Sequence, residues 1–467
     1  MYGLRYLQLF ICVTFTGIAF FVGYLDLTVR NAIDAVAPAL ASYLLGLYGS
    51  LIIYRVFFHP LKAFPGPLSV KVSSIAFSAR LLSLDAHKKV LALHQRHGDF
   101  VRVGSSDLSI IHPKAPDAIY GKGSKCTKAD WYDLTLPMTS MQTTRKRAEH
   151  DKRRRVWGRA FNDLRGYEER VTIFQDQLLA IISAADRKPV NITELYHQFS
   201  FDVMGDLAFG ASFNMLQSSD YCCELLDKRL KTKVNTPNIT SFLVEPWLDK
   251  QPLGYDLNVL QGDSQLIIVA GSDTTASTLT NLFYELARKP DLVSKIRDEL
   301  QPLIKQGGDI SDQKLQTLNL LTGVINETLR LHPPVLALQR KTPREGLTIG
   351  ETYIPGDITV WCPQYVVGRS EKVYADAAHF RPERWYAQRD MIKEASAYAP
   401  FSLGTYNCIG KNLALMILRT TLVRVILKYD ISFATDEEEL AFEDRAKTQF
   451  NTLPGQLNLT FHKRSPE

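Results

Sequence analysis

Cys408 sits in the stretch FSLGTYNCIGK, between Gly404 and Gly410 and directly ahead of the apolar run NLALMILRTTLVRVIL. A helix starting just after this cysteine aims its free N–H groups and the positive end of its dipole at the sulfur, which favours thiolate over thiol. The two glycines let the backbone turn tightly and pass close to a flat ligand. A thiolate presented in this way suits axial ligation of haem iron, where it pushes electron density onto the metal and favours O–O cleavage. The competing reading is a buried structural cysteine, the usual fate of a lone thiol.

Further groups with chemistry stand upstream. AGSDTT puts an acid, Asp273, and a hydroxyl, Thr274, beside Gly271 in a helical pattern running from about Leu266 to Arg288. Adjacent threonines are poor helix formers, and a threonine bonded back to the preceding turn can open the helix locally for a ligand and water. An acid and a hydroxyl together can relay protons to a bound oxygen; equally, they can satisfy only their own backbone. ETLR places Glu327 and Arg330 three apart on one helix face, and FRPERW offers Arg384 to the same carboxylate. Buried, such a cluster fixes geometry more than it adds stability.

These groups need a scaffold. From about residue 85 the chain reads mostly helical, with β-like runs at DFVRVGSSDLSIIH and GLTIGETYIPGDITVW; the second suits a small hairpin with turn residues Gly350 and Pro355-Gly356. A helix from about Leu320 to Leu331 ends at His332-Pro333-Pro334, where proline cannot continue it. HPLKAFPGPL, with Pro60, Pro65 and Pro67, reads as a stiff extended linker. Ahead of it, two uncharged runs, from Tyr6 to Leu25 and from Ala35 to Tyr54, are each about long enough to cross a ~30 Å hydrocarbon core. Pro38 and two glycines leave a buried or interfacial helix as the alternative for the second. Two spans return the chain to its starting side, and Arg55, Lys62 and Lys71 place its bulk in the cytosol.

Composition narrows the function. The formal charge of +6 is too mild to mark a nucleic-acid partner, and the basic run HDKRRRVWGRAF lacks the interleaved aromatics of a nucleic-acid reader. Six cysteines without a CxxC pair argue against structural zinc, and a disulfide framework does not suit so long a chain.

In this order, AGSDTT, ETLR, FRPER and FSLGTYNCIG resemble the cytochrome P450 family, the haem-thiolate monooxygenases, and YRVFFHPLKAFPGPL resembles its fungal membrane-bound branch. The likeness runs from about Tyr54 to the end. It implies a mainly α fold with small β-sheets on an N-terminal transmembrane anchor: residues 1–59 as anchor, 60–467 as haem domain. It implies heme b, with Cys408 as the proximal iron ligand, Phe401 and Gly404 shaping the loop, and Gly410 letting it pass the porphyrin. Asp273 and Thr274 would lie over the distal face and serve oxygen activation and proton delivery. Glu327, Arg330 and Arg384 would form a structural ion cluster behind the haem. His150 and Arg154, one helical turn apart, match positions that face the haem carboxylates, where an arginine fork can bind twice; Arg340 in LQRKT is a further candidate. Lys152, Arg153, Arg155 and Arg159 would form a solvated face able to dock an acidic reductase. The implied reaction inserts one atom of O2 into a hydrophobic small molecule. Electrons would come through NADPH–cytochrome P450 reductase, at the endoplasmic reticulum membrane with the catalytic domain in the cytosol, in fungal secondary metabolism.

Two departures from the family stand out. Tyr406 occupies a position where the family usually has arginine reaching a haem carboxylate. Tyrosine keeps a donor and loses the charge, so haem retention is expected to weaken by the roughly 1.5–3 kcal/mol of a hydrogen bond to a charged group. Second, FGASFNMLQSSD and CELLDKRLKTKVNTPNITSFL, which flank the two lid helices in the family, nearly join at Tyr221-Cys222, so the haem domain reads as truncated near 216–224. An alternative follows from this: a haem-binding pseudoenzyme or inactive product, crippled by the missing lid. Haem chemistry without an external oxidant is a third reading, and Asp273-Thr274 argues against it.

Overall fold

The computed structural model describes residues 2–161, 164–217, 238–242, 257–305, 308, 310–448 and 451–465. The expected join at Tyr221-Cys222 lies outside the described residues. Two units divide the chain: Met1–Phe77 with Arg102–Ser105, and Ser78–Val101 with Ser106–Glu467.

The first unit opens with two apolar helices, α1 (Tyr2–Tyr24) and α2 (Val29–Ile53), the latter running on into a π-helical turn over Tyr54–Phe58. Thr28 caps α2 by accepting the Asn31 N–H at 3.3 Å. Pro38 sits inside α2 without ending it. The helices run antiparallel: Phe10 stacks on Tyr43 with ring centroids 6.3 Å apart, and Gly17 faces Val36. Leu9, Phe15, Tyr43 and Leu45 point outward, exposed. Arg5–Gly23 and Val29–Phe58 are long and apolar enough to cross a membrane. The linker that follows is not extended as expected. It is a run of tight turns, with the Lys62 N–H on the His59 carbonyl (2.9 Å) and the Phe64 N–H on the Leu61 carbonyl (3.2 Å). The His59 ring accepts the Leu61 N–H at 3.0 Å. None of these bonds needs an N–H from Pro60 or Pro65, so the prolines permit the turns.

The second unit is mainly helical. The helices that position the site are α3 (Arg147–Ala160), α4 (Leu164–Ala184), α5 (Ile192–Phe209), α6 (Leu257–Ala287), α7 (Asn319–Leu331) and α8 (Lys411–Lys428). Their shared core includes Tyr196, Phe199 and Val203 of α5, Leu279, Leu282 and Phe283 of α6, Val324 of α7, and Met416 and Leu422 of α8. Each such side chain adds about 1.5–3 kcal/mol by leaving water.

Helix α6 begins nine residues before the expected Leu266, because its first turns are not the solvated lead-in their polarity suggests: Val259, Leu260, Gly262 and Asp263 are buried. Nor does the threonine run open the helix. The hydroxyls of Thr274, Thr278 and Thr280 donate to carbonyls four residues back, at 2.7, 2.7 and 2.9 Å. They satisfy themselves on intact turns.

The strands nearest the site are β1 (Phe100–Arg102), β2 (Asp107–Ile110), β3 (Thr127–Lys128), β4 (Arg340–Lys341), β5 (Leu347–Ile349), β6 (Thr352–Ile354) and β7 (Thr359–Trp361). The hairpin is β5–β6 alone, turning at Gly350 with φ +61°. β7 leaves it to enter a five-stranded sheet ordered β1-β2-β7-β4-β3. The antiparallel β3–β4 pairing sets Lys128 opposite Arg340, which brings two cations together from distant parts of the chain.

Candidate active site

The cysteine loop is closed by the Cys408 N–H, which donates to the Phe401 carbonyl at 2.8 Å. Gly404 holds φ +61°, and a Cβ there would lie 2.5 Å from the Tyr120 carbonyl oxygen, so the turn demands glycine. Lys411 lies 5.8 Å over the Phe401 ring at the start of α8. The Gly410 N–H donates to the Cys408 sulfur. Cys408 keeps accessible surface although protein crowds its thiol. Burial pushes this thiol above its ordinary pKa, opposed by the Gly410 N–H and by the charges of Arg154 and Lys411. The helix N-terminus alone therefore does not produce the expected thiolate; desolvation outweighs it, and a bound metal cation reverses that balance by deprotonating its thiol ligand.

Arg154 does not end free on α3. Its guanidinium binds the Asn407 carbonyl at 2.7 Å and the Asn407 side chain, bracing the residue before Cys408. His150, one turn earlier, is buried, and burial lowers its pKa to about 4. The neutral ring donates its Nδ1–H to Asp151 in a hydrogen bond of 2.9 Å and packs edge-on against Tyr406, with centroids 4.7 Å apart. Arg153 departs from the solvated face assigned to it. It is buried, donates to the Thr139 hydroxyl at 3.2 Å and lies 4.0 Å from Asp263. Lys152, Arg155 and Arg159 are exposed as expected.

Tyr406 is surrounded by cations. Lys128, Arg340 and Arg147 lie 4.8, 5.1 and 5.7 Å from its ring centroid. Arg147 is paired with Asp151 at 2.8 Å. Lys128 and Arg340 are buried, and among the described residues neither has a carboxylate partner within ion-pair distance. Lys128 donates to the carbonyls of Met141, Gln142 and Thr144 at 2.9, 2.6 and 3.0 Å. Burial first, then Arg340 and Arg153, lower its pKa to about 7. Arg340 donates to the Tyr132 hydroxyl and the Gln339 carbonyl, both at 3.0 Å. The charge missing at position 406 is thus present around it. Sequence reasoning missed Lys128, since a single lysine in a two-residue strand carries no signal.

On α6, Asp273 accepts from His197 of α5, with 3.2 Å between Oδ1 and Nε2, and Thr274 donates to the Ala270 carbonyl at 2.7 Å. Nearer the start of α6, buried Asp263 accepts the Met141 N–H at 2.6 Å and the Trp157 indole N–H at 3.3 Å. Burial raises its pKa to about 6. Both His197 and Asp263 also escaped sequence reasoning.

Glu327, Arg330 and Arg384 come together, fully buried. Glu327 receives Arg330 at 2.7 and 2.9 Å, Arg384 at 3.0 Å, the Trp385 indole at 2.9 Å and the Arg381 N–H at 2.7 Å. Glu285, His332 and Glu443 have metal-ligand chemistry, but Glu285 is already engaged by His332 at 2.9 Å and faced by Arg288 at 3.9 Å. A cavity of about 650 Å³ lined by residues such as Leu179, Ser183, Tyr429 and Arg464 shares no residue with the site.

A sequence model of the cytochrome P450 family matches residues 65–258 and 254–461. The chain is similar to tryprostatin B 6-hydroxylase of Aspergillus fumigatus, 38% identical over 502 aligned positions that cover 96% of this chain and 90% of that protein. It is also similar to the cytochrome P450 monooxygenase notG' of Aspergillus versicolor, 39% identical with 91% and 87% covered. The cytochrome P450 monooxygenase sthD of Phaeosphaeria nodorum is 39% identical with 90% and 99% covered. The site is of the haem-thiolate class, and the chain belongs to the cytochrome P450 family. It is an oxidoreductase, a monooxygenase whose family cofactor is haem iron with an axial cysteine thiolate. Such enzymes take electrons from a redox partner and act on hydrophobic substrates. The residues present fit the group: an accessible thiol at the start of α8, and two buried cations, Lys128 and Arg340, with no carboxylate within ion-pair distance among the described residues.

Proposed function

We propose that this chain hydroxylates a hydrophobic natural-product intermediate, with Cys408 as the iron ligand and Lys128, Arg340 and Tyr406 holding the haem carboxylates. When bound, thiolate-ligated haem iron supplies the activation of O2. The protein's own residues do the rest. Gly410 and Arg154 hold the sulfur and its loop in place through a hydrogen bond and the Asn407 brace. Phe401 and Gly404 fix the turn. Arg147 and His150 pack against Tyr406, and His150, whose one N–H donates a hydrogen bond to Asp151, acts as a prop rather than a carboxylate donor. Asp273 holds a proton-exchanging carboxyl beside Thr274, whose hydroxyl can rotate from Ala270 toward the distal space. Glu327, Arg330 and Arg384 lock the fold around the site.

Lys152, Arg155 and Arg159 offer an exposed basic face for the acidic surface of NADPH–cytochrome P450 reductase. The two apolar helices anchor the chain in the endoplasmic reticulum membrane, with the haem domain, residues 60–467, in the cytosol. A haem domain shorter than its relatives is supported by an alignment of 502 positions against a chain of 467 residues; the family match breaks at 254–258, later in the chain than the truncation expected near 216–224. An open distal side admits water and lowers the yield of product per NADPH.

The observation that carries the reading is the accessible Cys408 thiol on a tight loop braced by Arg154 at the start of α8. The test is the reduced, carbon-monoxide-bound spectrum of the purified full chain. Wild type, Cys126→Ala and Cys362→Ala should give the thiolate-type band, and Cys408→Ala should lose it entirely. A thiolate band retained in Cys408→Ala sinks the assignment; a wild-type protein that binds haem without O2 reduction supports the pseudoenzyme instead.

A further inference from the structure

We infer that His197 feeds protons to Asp273, making it a positioning and relay residue one step behind the distal acid. The inference rests on the proposed role of Asp273 and Thr274. Helix α5 packs along α6, and His197 Nε2 lies 3.2 Å from Asp273 Oδ1. No other side chain among the described residues has a hydrogen bond or ion pair to Asp273. The contact is held in register from both sides. Ser272, beside Asp273, donates to the Ser200 carbonyl at 3.3 Å, and the Phe201 ring packs on the imidazole one turn along α5, with centroids 4.5 Å apart. The Asp273 side chain is only 21% exposed, whereas that of His197 is 35% exposed. The acid is thus shielded and its partner is the more open of the two. Ser200 Oγ, on the same stretch of α5, is buried with no hydrogen-bond partner, and such orphaned atoms are where ordered water sits.

An imidazole has two ring nitrogens and can take a proton at one while releasing one at the other. A hydronium ion of the bulk solvent gives a proton to His197 Nδ1 and is left as water. The Nε2–H bond breaks as an O–H bond forms at Asp273 Oδ1, and the resulting carboxylic acid passes its proton on to the distal side. No electrons move in these steps; those for O2 come from NADPH through the reductase. A carboxylate with no such partner would have to swing outward to be reprotonated.

The experiment needs no knowledge of the substrate. The full-length haem protein is reconstituted with reductase and NADPH alone, and O2 consumption, peroxide per NADPH and the rate ratio between H2O and D2O are measured. Three variants are compared: His197→Phe, His197→Gln and Asp273→Asn. Glutamine keeps an N–H donor for Asp273 but has no second ring nitrogen. His197→Phe and His197→Gln should each slow O2 reduction by about 10-fold, less than the roughly 10²–10⁴-fold of an acid or base acting directly, because His197 acts one step behind Asp273. Both should raise the solvent isotope ratio and shift the product toward peroxide. The carbon-monoxide spectrum should stay unchanged. Thermal unfolding supplies a readout independent of turnover: the Tm of His197→Phe combined with Asp273→Asn should fall no further than that of the worse single variant. Wild-type rates and isotope ratio in His197→Gln overturn the relay, as does an additive Tm loss in the double variant. If Asp273→Asn alone leaves O2 reduction unchanged, the role of Asp273 itself fails and the inference falls with it. A lost carbon-monoxide band in wild type would instead refute the haem-thiolate reading.

Discussion

Two charged clusters in the same unit are built on opposite plans. Around Glu327, one carboxylate receives five hydrogen bonds, and Arg330 and Arg384 direct their remaining donors to the carbonyls of Ala377, His379, Ala375 and Asp376. That cluster is satisfied by protein alone. Around Tyr406, Lys128 and Arg340 are equally buried but meet carbonyls, a phenol and ring faces in place of carboxylates. Removing a charge from water without an opposite charge is expensive. A protein keeps such an arrangement where a ligand brings the missing charge. On the proposed function, the first cluster is a scaffold and the second is half of a binding site.

The largest test of this contrast lies in the scaffold. Glu327→Gln leaves two buried guanidinium groups without a counter-ion, and breaking a buried pair costs about 3–5 kcal/mol. Denaturant unfolding should show that loss even before haem is added. Lys128→Met should behave the other way. Haem loss to a scavenger protein should quicken by roughly ten-fold, because the haem carboxylates lose a neighbouring positive charge whose three N–H donors already serve backbone carbonyls. The haem-free fold should weaken less than that of Glu327→Gln, since the three carbonyls that lose Lys128 are offset by removal of its buried charge. Equal destabilisation by both variants would erase the distinction.

The pH dependence sharpens it further. The pKa of Lys128 is lowered from 10.5 to about 7 in the haem-free fold. Between those values the unfolded chain binds the proton that the native protein has released, so stability rises with pH across the window. Below pH 7 the native lysine is charged and the penalty is fully present; every tenfold loss of proton affinity on folding corresponds to about 1.4 kcal/mol. Haem-free wild type should therefore gain stability from pH 7 toward 10, while Lys128→Met and the haem-loaded protein should show no such gain from this group.

The legible parts of the site were those written in short runs. Glu327 and Arg330 share a helix face by spacing, Asp273 and Thr274 are neighbours, and Cys408 precedes an apolar helix. His197 lies 76 residues before Asp273 and meets it only because α5 and α6 pack. Lys128 reaches Arg340 through the pairing of two two-residue strands. Asp263 went unnoticed because nothing local announces its burial among Met141 and Trp157. Arg153 is different, since the signal was there. His150, Arg153, Trp157 and Ala160 fall on one helical stripe and are all buried; the density of charge around them hid the period. Membrane-helix length was readable because an uncharged run has one dominant interpretation, whereas prolines in the linker constrain φ without deciding between extension and turns.

The smallest effect belongs to Tyr406, and it tests whether the site lacks a charge or lacks room for one. If the position were merely charge-poor, Tyr406→Arg would slow haem loss by adding a cation for a carboxylate. The geometry argues the reverse. The ring is faced by Lys128 at 4.8 Å, Arg340 at 5.1 Å and Arg147 at 5.7 Å, contacts worth about 0.5–1 kcal/mol each when partly exposed. Arginine in its place forfeits them and sets a fourth positive charge among three. At an effective dielectric near 20, like charges ~5 Å apart repel by about 3 kcal/mol per pair, partly offset by the haem carboxylates. We expect Tyr406→Arg to lose haem a few-fold faster than wild type, and Tyr406→Phe, which keeps the ring, to differ little. Slower loss in Tyr406→Arg would mean that Lys128 and Arg340 do not serve the haem carboxylates, and the contrast between the two clusters would fail at its weaker end.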